Sequence, residues 1–373
     1  MLLYPAFSIS NIKGFVAQEE QFGKDNTYSK TDKSTNYIVE PGMFAYNPAR
    51  INVGSIAYQN QHEPVLVSSL YEIFKVKSEI DDSFLMNWFK TSLFNNQVKR
   101  LEEGGVRQYF FIDKMQETKI GLPSISEQKN ISKILKLINK NLDLQQRKLD
   151  NLIKIRKFYL SKFFPTKRKA EPELRLKKFT NISWKNKKLG EIGKVKSGIG
   201  FPTSEQGGKV GVPFYKVSDM NNKGNEFEMV TANNYVSIDR IKANRWKVIR
   251  EVPAIFFAKV GAAVLLNRKR LCRIPFLLDN NTMAYCMDQA ILDPIFTKML
   301  FETINLPSLA QLGALPSYNA SDVESLFVYI PTLEEQKKLA KIFQKIDNLI
   351  VYQQKKISLL KQNKEFLLQN LFI

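Results

Sequence analysis

Leu122-Pro123-Ser124-Ile125-Ser126-Glu127-Gln128-Lys129 returns 208 residues later as Ile330-Pro331-Thr332-Leu333-Glu334-Glu335-Gln336-Lys337. The match continues through Gln145-Gln146 against Gln353-Gln354 and ends at Phe164 against Phe372, with 14 identities in 43 aligned positions. A long period with only two copies is not a solenoid. It predicts two similar halves, each a globular part followed by a long helix.

Ser124-x-x-Glu127 and Thr332-x-x-Glu335 are capping-box patterns, and each follows a proline. Each opens a run without Pro or Gly, 124–164 and 332–373. Along these runs the apolar residues follow alternating steps of four and three. The first seam reads Ile131, Leu135, Ile138, Leu142, Gln145, Leu149, Leu152, Arg156, Tyr159 and Phe163. The second reads Leu339, Phe343, Ile346, Ile350, Gln353, Ile357, Leu360, Lys364, Leu367 and Leu371. A period of 3.5 sustained this far indicates a coiled coil; the plainer alternative is an amphipathic helix in a globular core. A parallel pair would set Arg156 against Lys364 in a dry seam. An antiparallel pair separates the two cations and brings Gln145 and Gln353 together. Each apolar seam residue buries about 1.5–3 kcal/mol, so the gross term reaches tens of kcal/mol before ordering entropy. The expected object is a spacer of roughly 55 Å with one globular domain at each end and a pseudo-two-fold axis.

The chain has 373 residues, enough for two or three domains, and 44% are hydrophobic. Cys272, Cys286 and the single histidine, His62, offer no zinc-ligand spacing and no histidine-based active site. Scarce cysteine fits a reducing compartment, and no apolar run approaches the length of a membrane span, so a cytoplasmic location is expected. The net charge of +20 is unevenly placed. Residues 1–126 carry 13 basic and 14 acidic side chains, 127–164 carry 10 and 3, 165–196 carry 11 and 3, 197–333 carry 14 and 12, and 334–373 carry 8 and 4. The excess therefore sits on the two helices and the segment between them, which suggests a polyanionic partner.

Both globular parts read as mixed α and β. Strands are expected at 37–39, 43–46, 55–58 and 69–74 in the first, and at 254–257, 263–266 and 283–286 in the second. Helices are expected at 83–98 and 294–304. Gly105 and Gly313 share the same offset of 208.

With these residues in view the chain resembles the specificity subunits of type I restriction-modification enzymes. The resemblance rests on Leu122-Pro123-x-x-x-Glu127-Gln128 and Pro331-x-x-Glu334-Glu335-Gln336, each opening a long helix after a variable domain. It also rests on 41–55 (Pro41-Gly42-Met43-Phe44-Ala45-Tyr46-Asn47-Pro48 through Ser55) and Gly104-Gly105-Val106-Arg107-Gln108. In the second half Trp184-x-x-x-x-Leu189-Gly190-Glu191-Ile192 through Pro213-Phe214-Tyr215-Lys216-Val217-Ser218-Asp219-Met220 resembles the opening of a target-recognition domain. The implied fold is α+β. A first target-recognition domain spans 1–122, a first spacer helix 123–165, a basic linker 166–183, a second recognition domain 184–330 and a second spacer helix 331–373. The resemblance implies a non-catalytic subunit that reads a bipartite site in double-stranded DNA. It would dock two modification (methyltransferase) subunits and, through them, restriction subunits. S-adenosylmethionine, ATP and Mg would belong to those partners, with no cofactor on this chain. One departure stands out: residue 1 aligns with about residue 209, so the first half has no counterpart of 178–208.

The chain shows no phosphate loop, and Asn47-Pro48-Ala49-Arg50 lacks the second proline and the aromatic residue of an amino-methyltransferase motif. DNA reading calls for Arg, Lys, Asn and Gln at base edges and further cations on phosphates. In the second half the candidates are Lys216 and the run Lys259, Arg268, Lys269, Arg270 and Arg273, since no acid occurs between Glu251 and Asp279. In the first half they are Asn47, Arg50 and Asn52, in an acid-free stretch, and Arg107 with Gln108. The segment 165–196 reads equally as a solvated linker, a backbone-tracking arm or a docking surface. A coiled-coil adaptor with protein-binding ends is the alternative to DNA recognition.

Overall fold

The computed structural model describes residues 4–11, 13–18, 20, 36–103, 108–166, 169–310 and 315–372. The chain divides into two compact units, Met1–Lys148 with Gln353–Ile373, and Leu149–Tyr352.

In unit 1 the strands are β1 (Phe7–Ser10), β2 (Gly14–Ala17), β3 (Tyr37–Val39), β4 (Phe44–Tyr46), β5 (Ile56–Tyr58), β6 (Val65–Val67) and β7 (Glu72–Phe74). β1 and β2 form a hairpin, β3 pairs with β6, and β4 lies between β5 and β7 in an antiparallel sheet. Side chains alternate across β4, as the pleat requires. Phe44 and Tyr46 pack with Phe84, Trp88 and Phe94, while Ala45 turns to Ile9, Val39, Val65 and Val67. The helices are α1 (Asp82–Trp88), α2 (Ser92–Leu101), α3 (Ile112–Glu117) and α4 (Ile125–Phe163), the last running on into unit 2. The single helix expected over 83–98 is broken: the chain leaves helix at Phe89 and restarts behind Thr91, whose hydroxyl accepts from Phe94 N–H.

In unit 2 the strands are β8 (Lys185–Lys188), β9 (Gly193–Ser197), β10 (Val212–Tyr215), β11 (Tyr235–Val236), β12 (Ala254–Ala258), β13 (Lys269–Cys272), β14 (Leu277–Leu278), β15 (Thr282–Met287) and β16 (Phe327–Ile330). The central antiparallel sheet has the order β13-β12-β15-β9, β16 pairs with β8, and β10 joins β11 to β14. The helices are α5 (Ile238–Ala243), α6 (Ala262–Leu265), α7 (Pro294–Thr303), α8 (Ala320–Glu324) and α9 (Leu333–Asn370), which ends in unit 1. Ile255, Phe257 and Tyr285 face the helices in one core with Phe296, Leu339 and Phe343. Ala254, Phe256, Cys272 and Cys286 face a second core around Tyr215 and Phe276. The strand expected at 263–266 is the single-turn helix α6. Gly261, at φ +83°, turns the chain out of β12, and only Val264 is buried while Leu265 and Leu266 face solvent.

Within each unit the two long helices pack antiparallel. In unit 1 the early turns of α4, with Ile131 and Leu135, share a core with Leu368 and Phe372 at the end of α9. In unit 2 Phe163, on the last turn of α4, meets Phe343, three turns into α9, with ring centroids 6.3 Å apart. All ten seam positions of each helix are buried or half-buried. The polar exceptions are satisfied. Gln353 donates to the side-chain oxygen of Gln145 at 2.8 Å and to its carbonyl at 3.0 Å. Arg156 forks onto Glu302, at 2.7 and 3.2 Å, and onto Asp347.

The Glu-Gln pair that opens each helix also has a structural task. Gln336 accepts from Asp293 N–H at 2.9 Å and donates to the carbonyls of Ile291 and Pro331, both at 3.0 Å. Gln128 accepts from Asp81 N–H at 2.8 Å and donates to the carbonyls of Glu79 and Pro123, at 3.0 and 2.9 Å. Asp81 and Asp293 are the N-caps of α1 and α7. One buried amide thus ties each long helix to the start of a globular-domain helix. The aromatic end of the other long helix closes the same joint: Phe372 stacks on Phe84 at 4.8 Å, and Phe164 on Phe296 at 5.2 Å.

Candidate nucleic-acid interface

The acid-free run at 259–273 does not form one cationic surface. β13 places alternate side chains on opposite faces, so its cations point into two different environments. Lys269 is 2% exposed, and its Nζ donates to the Ile304 carbonyl at 2.7 Å and to Asn267 Oδ1 at 2.6 Å. Burial brings its pKa down to about 7. It holds a loop and is not a surface cation. Arg270 is spent on the carbonyls of Asn225 and Lys269, and burial lowers its pKa. Arg273 is exposed but forked onto Glu228 at 2.9 and 2.8 Å, which cancels its charge locally. Glu228 lies 45 residues away in sequence and reaches Arg273 because Glu228 itself bridges to Leu271. Arg268 donates to Asn221 Oδ1 at 2.6 Å, while its Nε is buried without a partner. Lys259, half-buried just past β12, has no carboxylate partner among the described residues.

Lys216 follows β10, outside the strand, and reaches Gln206 Oε1 at 3.3 Å. Its N–H donates to Asp219 Oδ2 at 2.6 Å, and Asn233 N–H donates to the other oxygen at 2.8 Å. Burial raises the Asp219 pKa against these two bonds. Asn225 completes the brace. It donates to the carbonyls of Asp219 and Thr231 and accepts from Val230 and Thr231 N–H, all within 3.1 Å. The 216–233 loop is therefore a preformed platform whose tip, with Asn221 and Lys223, is exposed.

A second basic group escaped the sequence reading. Lys242, Arg245 and Lys247 are exposed, and no acid pairs with them among the described residues. Arg245 sits at φ +55° in the turn that closes α5. The signal was present in the spacing: five cations lie between Asp239 and Glu251.

In unit 1 Asn47 is committed to its own turn. Its Oδ1 accepts from Ala49 N–H at 3.0 Å, and its carbonyl accepts from Arg50 N–H. Arg50 and Asn52 are exposed and line a cleft of about 410 Å³ with Ser10, Asn11, Val53 and Ser55. Asn11, not singled out from the sequence, fixes that rim by donating to the Val53 carbonyl at 3.3 Å. Gly54, at φ +85°, lets the turn close. Gln108 is exposed, beside the Glu103–Tyr109 bridge. Arg107 and the two aligned glycines, Gly105 and Gly313, lie outside the described residues.

No group of three or more potential metal ligands occurs among the described residues, and no described helix is long and apolar enough to cross a membrane.

A family model for the type I restriction modification DNA specificity domain matches residues 4–154 and again 181–362. A type I restriction enzyme MjaIX specificity subunit from Methanocaldococcus jannaschii is 23% identical over 361 residues, covering 94% of this chain and 81% of that protein. The fold is shared with the type I restriction-modification system S subunit from M. genitalium, at TM-score 0.59 and 16% identity, over 99% of this chain and 88% of that one. It is also shared with a chain from work on complex assembly and conformational transition of the type I R-M system, at TM-score 0.62 and 16% identity, over 90% and 83%.

Proposed function

Because the chain belongs to the type I restriction-modification DNA specificity family, we propose that it reads a bipartite DNA site, one half with each globular domain, and docks methyltransferase subunits on its paired helices. The observation that carries the reading is the twofold match of the specificity-domain model. The continuous helices α4 and α9 set the number of unread base pairs between the half-sites. In the first half Arg50, Asn52 and Gln108, with Arg107, are assigned to DNA. In the second half Lys216, Lys259 and Arg268 keep that assignment, joined by Lys242, Arg245 and Lys247. Lys269, Arg270 and Arg273 are removed from it by burial or pairing.

The docking proposal is supported by apolar side chains that the seam does not use. Leu144 and Phe366 in unit 1 are exposed, and so are their repeat partners Tyr352 and Phe158 in unit 2. Exposed apolar side chains that recur at repeat-equivalent positions suit two copies of one partner. Contribution of the chemistry is assigned to the partner subunits, which would carry S-adenosylmethionine, ATP and Mg.

The test is to map methylated bases in host DNA with and without this gene, and to copurify the chain with its methyltransferase. A split motif that disappears with the gene is expected. A complex that forms without any sequence preference on DNA would replace the reading with that of a protein adaptor.

A further inference from the structure

The 216–233 loop of unit 2 is held at two levels. Asp219 and Asn225 bond within the loop and give it its shape. A second set of contacts fixes where the loop stands. Its base lies along the outer edge of β13: Leu271 N–H donates to the Phe227 carbonyl at 3.2 Å, and Met229 N–H donates to the Leu271 carbonyl at 2.8 Å. Arg270 donates to the Asn225 carbonyl, and Arg273 forks onto Glu228. The two arginines withdrawn from DNA therefore clasp the loop whose tip carries Asn221 and Lys223.

The ring of Phe227 ties that base to the helices. Its centroid lies 4.6 Å from Lys298 Nζ and 5.5 Å from the Arg156 guanidinium carbon. The same guanidinium stands 5.9 Å from the ring of Phe343 on α9. Both cations belong to the cluster with Glu302 and Asp347 that joins α4, α7 and α9. A cation is drawn to a ring face more strongly as it loses water, and Lys298 is 4% exposed. Phe227 itself is half-buried and belongs to neither core of the central sheet. The cluster is not common scaffold. Aligned on the glutamine of each long helix and on the N-caps Asp81 and Asp293, unit 1 has Lys364 for Arg156, Asn139 for Asp347, Lys90 for Glu302 and Met86 for Lys298. Both acids are lost there. A cluster confined to unit 2 answers to something in unit 2, and the ring its two cations share is Phe227.

We infer that Phe227 is a positioning residue for one half-site: it locks the base of the 216–233 loop onto the paired helices through Arg156 and Lys298, and so sets where Asn221, Lys223 and the Arg268 bonded to Asn221 meet DNA. What the loop does rests on the function proposed above; how the loop is held does not. An apolar plug could be replaced by a side chain of similar volume, whereas a ring facing two desolvated cations could not.

Amide exchange followed by mass spectrometry on the full chain, without DNA, tests the hold. Phe227→Leu and Phe227→Ala should speed exchange at 225–233 by about tenfold or more, Phe227→Tyr should match the parent, and β12 and β15 should keep their protection in all three. Parent-like exchange in Phe227→Leu would make the ring a filler and overturn the inference, and so would protection lost across β12 and β15 as well. The complex with its methyltransferase carries the second arm, binding to the methylated motif and to its single-base variants. In Phe227→Leu discrimination at one half-site should fall about tenfold with the other half-site unchanged, and Phe227→Tyr should keep both. Equal loss at both half-sites, or uniform weakening on every DNA, would overturn the inference. A parent chain without base preference would end the DNA reading, while the exchange result would still decide whether Phe227 holds the loop.

Discussion

Single side chains decide how the charge of this protein is used. Lys269 is the sharpest case. In the unfolded chain its amine titrates near 10.4, whereas burial brings it to about 7 in the fold. Between those values the unfolded state binds the extra proton, so stability rises with pH across that window. The penalty is full below pH 7. Urea unfolding from pH 7 to pH 10 should show this rise, and Lys269→Met should flatten it. The Arg156 cluster is of another kind. Burial alone would raise the Glu302 pKa, but Lys298 and Arg156 outweigh it and hold the carboxyl below its usual range. Arg156→Ala would leave Glu302 and Asp347 with Lys298 alone, at a cost of about 3–5 kcal/mol in denaturant unfolding. At Gln336, replacement by alanine strands Asp293 N–H and two carbonyls, with a loss of roughly 1–3 kcal/mol and faster amide exchange at the start of α7.

At the scale of elements, the two long helices are fixed by a seam with two kinds of exception. The Gln145–Gln353 bond marks register, since no other alignment lets these amides meet. Gln353→Ala should cost about 1–3 kcal/mol by orphaning Gln145, whereas leucine at both positions should restore stability or exceed the parent. A double-mutant cycle in urea separates the two outcomes. The 3.5-residue period and the capping boxes made both helices legible in the sequence. Ser124 and Thr332 hydroxyls accept from Glu127 and Glu335 N–H, at 3.3 and 3.4 Å. Short elements were less legible. Ala263-Val264-Leu265-Leu266 is apolar enough for a strand, yet its neighbours in the chain, Gly261 on one side and β13 on the other, leave it outside the sheet. Nothing in four residues records that.

For the molecule as a whole, the length of the helices becomes a measurement on DNA. One heptad added to both α4 and α9 lengthens the pair by about 10 Å, or about three base pairs. The methylated motif should open by that amount, and an unchanged gap would refute the proposed role of the helices. Phosphate contacts should appear in the salt dependence of binding. Alanine at Lys242, Arg245 or Lys247 should each lower the slope of log affinity against log salt by about 1, whereas Arg273→Ala should leave it unchanged. The sequence by itself determined the duplication, the two helices, their antiparallel sense and the family, because periodicity, caps and charge conflicts are local properties that repeat along the chain. Tertiary structure alone decided which cations are free. Lys269, Arg270 and Arg273 are disarmed by Ile304, Asn225 and Glu228, groups between 35 and 45 residues away. The folding of the sheet brings those groups together, and no window of sequence contains both members of any pair.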